Sequence, residues 1–183
     1  MSIGIIIVNG AFFINFTLNL CFFPKEGISM SILPIFIPHA GCPHQCVFCN
    51  QKTISGQKLA AVAGAKEQLA RWRSWLRPSA ANEAAFYGGS FTGLPLELQE
   101  ELLALTDALL AEGFIGSVRL STRPDYIDEE RLQLLQRHGV RLVELGVQSL
   151  DDMVLAAAER GHTAAQVSPA VALLKRFGFQ VGL

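Results

Sequence analysis

At 183 residues, half of them hydrophobic and 17% charged, the chain has the composition of one globular domain with a sizeable core rather than of a disordered segment. Fifteen Lys and Arg against sixteen Asp and Glu leave a net charge of −1, which supplies no basic footprint for nucleic acid; Arg71, Arg73 and Arg77 read as one solvated helix face. Four cysteines, three of them in one short run, exclude a disulfide framework and point to a reducing compartment.

In chain order, the first feature is an uncharged stretch from Ile3 to Phe23, long enough to span a bilayer but interrupted by Asn9, Asn15, Thr17 and Asn19. It lacks the basic start of a signal peptide. Residues 1–29 are therefore read as an extension, with a membrane anchor as the alternative, and residues 30–183 as the domain. From Met30 onward short apolar runs alternate with stretches of helical period. Strands are expected at 32–37, 84–87, 117–121, 141–147 and 179–183, and helices at 58–76, 95–111, 128–137, 150–158 and 164–176. Pro95 suits a first helical position, and Gly113, Gly139 and Gly178 suit helix ends. Such a βα series is an α/β fold built on a parallel sheet or barrel.

In folds of this kind ligands gather where strands end and loops begin. The first such loop carries Cys42, Cys46 and Cys49 in CxxxCxxC spacing. A short loop can turn three thiolates toward one metal centre, one ligand fewer than a closed site of four. Thiolates suit zinc, copper or iron-sulfur clusters; zinc would call for a fourth ligand such as His39 or His44. The second loop is Tyr87-Gly-Gly-Ser-Phe-Thr-Gly93, whose paired glycines let a ligand approach the main chain. The third is Ser121-Thr-Arg-Pro-Asp125 and the fourth Gly146-Val-Gln-Ser149, with Glu159-Arg-Gly-His-Thr163 further on. Ser149 with Asp152 fits a helix cap, and Thr163 with Gln166 a capping box. Arg123, Gln148 and Arg160 have no such structural role at these positions, and an arginine can grip a carboxylate with both arms. Gln148 alternatively satisfies the core. His44 is read as packing the loop, His39, His138 and His162 as structural or solvated, and Lys52 and Lys58 as solvated.

The strings IPHAGCPHQCVFCNQ, FYGGSFTG, LSTRPDYID, LGVQSLDD and ERGHT, spread in order over residues 31–183, resemble the radical S-adenosylmethionine (SAM) superfamily. Within it the likeness is to the core of the Elongator catalytic subunit and its bacterial relatives, and less closely to oxygen-independent coproporphyrinogen III oxidase. The resemblance implies a partial (β/α) barrel in which Cys42, Cys46 and Cys49 hold a [4Fe-4S] cluster with one iron open to SAM. Phe48 would lie near the adenine, and Gly88, Gly89 and Ser90 would receive the SAM amino group. Gln148 would lie near the ribose or substrate, and Arg160 would pair with the SAM carboxylate. It further implies reductive cleavage of SAM to a 5'-deoxyadenosyl radical, an external electron donor, a cytoplasmic location and, by kinship, tRNA as substrate. No side-chain acid or base is expected for the first step. The family's core continues beyond a fifth strand, so the expected barrel is cut short there, with an open sheet edge. Without an acetyltransferase domain, that activity of Elongator is not expected here.

Overall fold

The computed structural model describes residues 6–8, 11–13, 30–37, 42, 44, 46–49 and 60–183. Within the apolar N-terminal stretch, β1 (Ile6–Val8) and β2 (Ala11–Phe13) form an antiparallel pair. Among the described residues no helix is long and apolar enough to cross a membrane.

The body of the chain is a five-stranded parallel sheet in sequential order: β3 (Ile32–Phe36), β4 (Glu83–Tyr87), β5 (Ser117–Thr122), β6 (Val140–Leu145) and β7 (Gln180–Gly182). Between the strands run α1 (Ala60–Trp75), α2 (Leu96–Ala111), α3 (Glu129–Arg137), α4 (Asp152–Ala157) and α5 (Val167–Arg176). Sequential order with right-handed crossovers sends the helices to one face of the sheet. That face carries every second strand residue: Leu33, Ile35, Ala84, Phe86, Val118, Leu120, Val143 and Leu145. These pack with Leu69 of α1, Leu102 and Leu103 of α2, Leu132 and Leu135 of α3 and Leu174 of α5 in one buried cluster. The architecture is the α/β partial barrel expected from the sequence.

The opposite, inner face carries a polar cluster on β4, β5 and β6. Glu83, Ser117, Arg119, Ser121 and Glu144 alternate with the core residues, and the Arg119 guanidinium bridges Glu83 and Glu144. Burial drives the Tyr87 phenol pKa up, Arg119 opposing and Glu144 and Glu83 adding. The free edge of β3 is covered by α1. The Gln68 amide accepts from Phe36 N at 2.8 Å and donates to Phe36 O at 3.0 Å, and Trp72 Nε1 donates to Pro34 O at 2.9 Å. Side chains thus stand in for a missing neighbour strand.

Several boundaries differ from expectation for identifiable reasons. Pro95 caps α2 from just outside it, its carbonyl accepting from Leu98 and Gln99. The strand expected to reach residue 147 stops at Leu145: Gly146 N still bonds to Thr122 O, but beyond it the chain leaves the sheet in tight turns, Val147 N to Leu145 O and Ser149 N to Val147 O. Asp151, not Ser149, caps α4: its carboxylate accepts from Met153 and Val154, while the Ser149 hydroxyl accepts from Asp151 N. The expected helix at 164–176 opens as a 3-10 turn, Ala164–Gln166, before α5. Pro169 lacks the N–H that an α-helical bond back to residue 165 requires. The Gln166 side chain does accept from Thr163 N, as a capping box demands. The Gly113, Gly139 and Gly178 backbones take positive φ at the ends of α2, α3 and α5.

Candidate functional site

The loops after β3, β4, β5 and β6 meet at one end of the sheet. Cys46 is buried there and Cys42 and Cys49 are half-buried, all three as free thiols. A turn in which Cys49 N donates to Cys46 O at 2.8 Å shapes the loop, and Val47 N ties it to Ala158 O beyond α4 at 3.2 Å. Phe48 projects outward, 57% exposed. Among the described residues no three of His, Cys, Asp and Glu stand together as ligands of a single ion.

Two buried arginines close the site from behind. Arg123 follows β5 and is 2% exposed. Its Nε and Nη2 donate to the two carboxylate oxygens of Asp125 at 2.9 Å each, its Nη1 donates to Arg160 O at 2.7 Å, and the same Nη1 lies 3.9 Å from Cys42 Sγ. Burial opposes its charge, but the hydrogen-bonded Asp125 outweighs this and holds its pKa above the usual arginine value. Arg123 was one of the arginines free, by sequence, to grip a ligand carboxylate; the structure shows that grip already closed on Asp125.

Arg160 differs. It is 8% exposed, its Nη1 points at Cys46 Sγ at 3.8 Å and its Nη2 donates to Gly146 O. Its Nε is buried with no partner among the described residues. A buried donor left unpaired is costly, which makes this nitrogen a ready contact for an acceptor. Arg160 sits between Glu159 and Gly161, both at positive φ. A side chain at Gly161 would have to displace His44: a Cβ there would stand 2.1 Å from Cε1 of His44. His44 packs against that glycine, as a loop-packing residue should. Its pKa is lowered by burial first and then by Arg123, with Asp125 pulling the other way. Neighbouring His162 is 5% exposed with Nε2 unpartnered among the described residues, and burial lowers its pKa too.

The glycine-rich loop lies beside this cluster of arginines. Gly88 has φ +101°, and a Cβ on it would come 2.5 Å from Ile37 O and 2.9 Å from the Phe36 ring, so the loop is pressed against the end of β3. Gly89 is half-buried. Ser90 is 3% exposed and its hydroxyl shares a hydrogen bond with Thr122 Oγ1 at 3.0 Å, which also meets Thr92 Oγ1 at 2.5 Å. Gln148 is exposed at φ 69°, a left-handed conformation for a residue with a side chain, and it does not serve the core.

Asp125 and Thr122 were not singled out from sequence. The only signal for Asp125 was its position two residues after Arg123. Thr122 carried none, because a threonine at the end of a strand is commonplace.

A family model described as the radical SAM superfamily matches residues 36–183. Among curated proteins, Elongator complex protein 3 of Saccharomyces cerevisiae is 30% identical over 117 residues, 54% of this chain and 21% of that protein. A tRNA uridine(34) acetyltransferase of Methanocaldococcus infernus is 24% identical over 197 residues, 86% of this chain and 37% of that protein. Among solved structures, coproporphyrinogen III oxidase of Escherichia coli, described as a radical SAM enzyme, superposes with a TM-score of 0.57 at 20% identity, covering 82% of this chain and 35% of its own. The chain thus spans well under half of each of these proteins.

Proposed function

Because this chain belongs to the radical SAM superfamily, we propose that residues 30–183 are a radical SAM core, preceded by an extension at 1–29, in which Cys42, Cys46 and Cys49 hold a [4Fe-4S] cluster. The residues present fit such a group. Three free thiols share one loop, and the cations behind two of them have N–H groups aimed at sulfur. Bound there, the reduced cluster would supply the electron that splits the carbon–sulfur bond of SAM into methionine and a 5'-deoxyadenosyl radical.

The chain's own residues bind and orient. Arg160 offers Nε to the SAM carboxylate, and the burial of this nitrogen without a partner among the described residues is the observation that carries the reading. The carbonyls around Gly88 and Gly89 receive the amino group. The Ser90 hydroxyl, held by Thr122, fixes that loop and presents its remaining lone pair. Phe48, exposed beside the cysteines, covers the adenine, and Gln148, held outward by its strained backbone, reaches the ribose. Burial lowers the pKa of both His44 and His162 in the unloaded chain. An external donor reduces the cluster in the cytoplasm. A nucleoside of tRNA is the substrate, supported by the relatives named for tRNA uridine(34).

The test is anaerobic reconstitution of the full chain with iron and sulfide, reading the electron paramagnetic resonance spectrum of the reduced protein before and after SAM is added. A cluster signal perturbed by SAM, and lost when the three cysteines become alanine, supports the reading. A cluster indifferent to SAM makes the chain a non-catalytic iron-sulfur module, and zinc bound without any cluster overturns the proposal.

A further inference from the structure

Arg123 is the most deeply buried charge in the described structure, and the proposed chemistry does not use it. Its bidentate pairing with Asp125 spends Nε and Nη2 within the chain, so it has no fork to offer a substrate. What it does offer is Nη1, shared between Arg160 O at 2.7 Å and Cys42 Sγ at 3.9 Å. Nη1 carries two N–H groups, so the one that holds the turn around residue 160 leaves a second free to face the Cys42 sulfur. Thus a guanidinium, partly neutralised by a carboxylate 13% exposed, faces a metal-ligand sulfur across a short gap.

A cation and an N–H donor beside a ligand sulfur stabilise the more electron-rich state of a cluster, so they raise its reduction potential; a nearby carboxylate lowers it. Resting on the cluster reading above, we propose that Arg123, oriented by Asp125, is a positioning residue that sets the potential of the cluster through Cys42. The Asp125 carboxylate offsets part of the arginine's charge, so the pair holds the potential between the values either charge alone would impose. It also fixes the guanidinium plane, because two parallel N–H···O bonds leave it no rotational freedom.

The opposite charges of the two residues provide the test. The full chain, reconstituted anaerobically with iron and sulfide, is titrated with dithionite at graded potentials and followed by electron paramagnetic resonance, alongside Arg123→Lys, Arg123→Met and Asp125→Asn. Iron and sulfide content and a thermal melt select the variants that fold and load. The expected result is a shift to more negative potential in Arg123→Met, a shift to more positive potential in Asp125→Asn, and a value near the parent's in Arg123→Lys. A purely structural role would not move the potential in opposite directions. Loaded variants that keep the parent potential, or that shift in the same direction, overturn the assignment. Should Arg123→Met fail to fold, an Asp125→Asn protein with no positive shift overturns it equally. A parent chain that takes up no iron-sulfur cluster overturns the proposed function itself, an outcome distinct from a loaded parent with insensitive variants.

Discussion

The helix-covered face of the sheet buries Leu33, Ile35, Phe86, Val118, Leu120 and Val143, whereas the loop end of the molecule buries Thr122 at the last position of β5, Ser90 and Arg123 just after strands, and Arg160 and His162 beyond α4. Both regions exclude water to a similar degree. On the helix face each side chain contributes roughly in proportion to its buried area, and its neighbours need only fill space. At the loop end burial is tolerable only through specific partners, so the loss of one atom exposes the cost of another. Three groups at this end have no partner among the described residues: Gln99 Oε1, whose amide nitrogen holds Thr92 O and Leu94 O after β4, and Arg160 Nε and His162 Nε2. For the two beyond α4, a ligand at the proposed site would supply a partner.

The comparison breaks most visibly in two substitutions of similar size and different logic. Phe86→Ala should lower stability by about 3–5 kcal/mol in urea unfolding through lost area and a cavity. Asp125→Ala should cost about 3–5 kcal/mol by stranding the Arg123 charge, and adding Arg123→Met should recover most of that loss. No second substitution of that kind exists for Phe86, so a double variant that recovers nothing would make the loop end an ordinary core. Next in size, Gly161→Ala forces His44 aside and holds its own backbone at φ +78°. About 1–3 kcal/mol is expected in thermal or urea unfolding, with weaker iron retention on dilution of the reconstituted chain.

Gln148→Gly sharpens the contrast from the other side. Relief of the left-handed backbone should leave stability within about 1 kcal/mol of the parent, while SAM binding by the loaded chain, measured by equilibrium dialysis, weakens. Unchanged SAM binding would remove Gln148 from the site. The smallest effect is on pH dependence. Burial lowers the His162 pKa in the folded chain below its ordinary 6.5, so the unfolded chain takes up the proton first. The stabilising contribution of neutral His162 is therefore fully present above that ordinary value and lost as pH falls below it. Unfolding titrations of parent and His162→Gln should differ in slope only in that acidic window.

Much of the site was legible because its signals are local. The cysteine spacing lies within one loop, the glycine pair follows one strand, and the alternation of short apolar runs with helical period is read in windows of a few residues. Element boundaries slipped where a nearby competitor was stronger, as with Asp151 over Ser149 at the start of α4. The equivalence of Arg123 and Arg160 failed for a different reason. Their sequence contexts do not reveal which has a committed carboxylate, and Asp125 stands close enough to Arg123 to satisfy it only because the 3-10 turn at Pro124–Tyr126 folds it back.

The sequence by itself determined the order of strands and helices from residue 30 onward, the loops in which its candidate residues lie and the cysteine spacing, since each depends on residues within one turn, strand or loop. Tertiary structure alone decided the state of each functional side chain. Ser90 meets Thr122 across 32 residues, Arg123 meets the carbonyl of Arg160 across 37, and Arg160 reaches Cys46 across 114. Such pairings exist only once the parallel sheet has stacked its loops at one end. Which donors are spent is therefore settled by the assembled fold, and that Arg160 Nε is buried without a partner among the described residues could not be read from any stretch of chain.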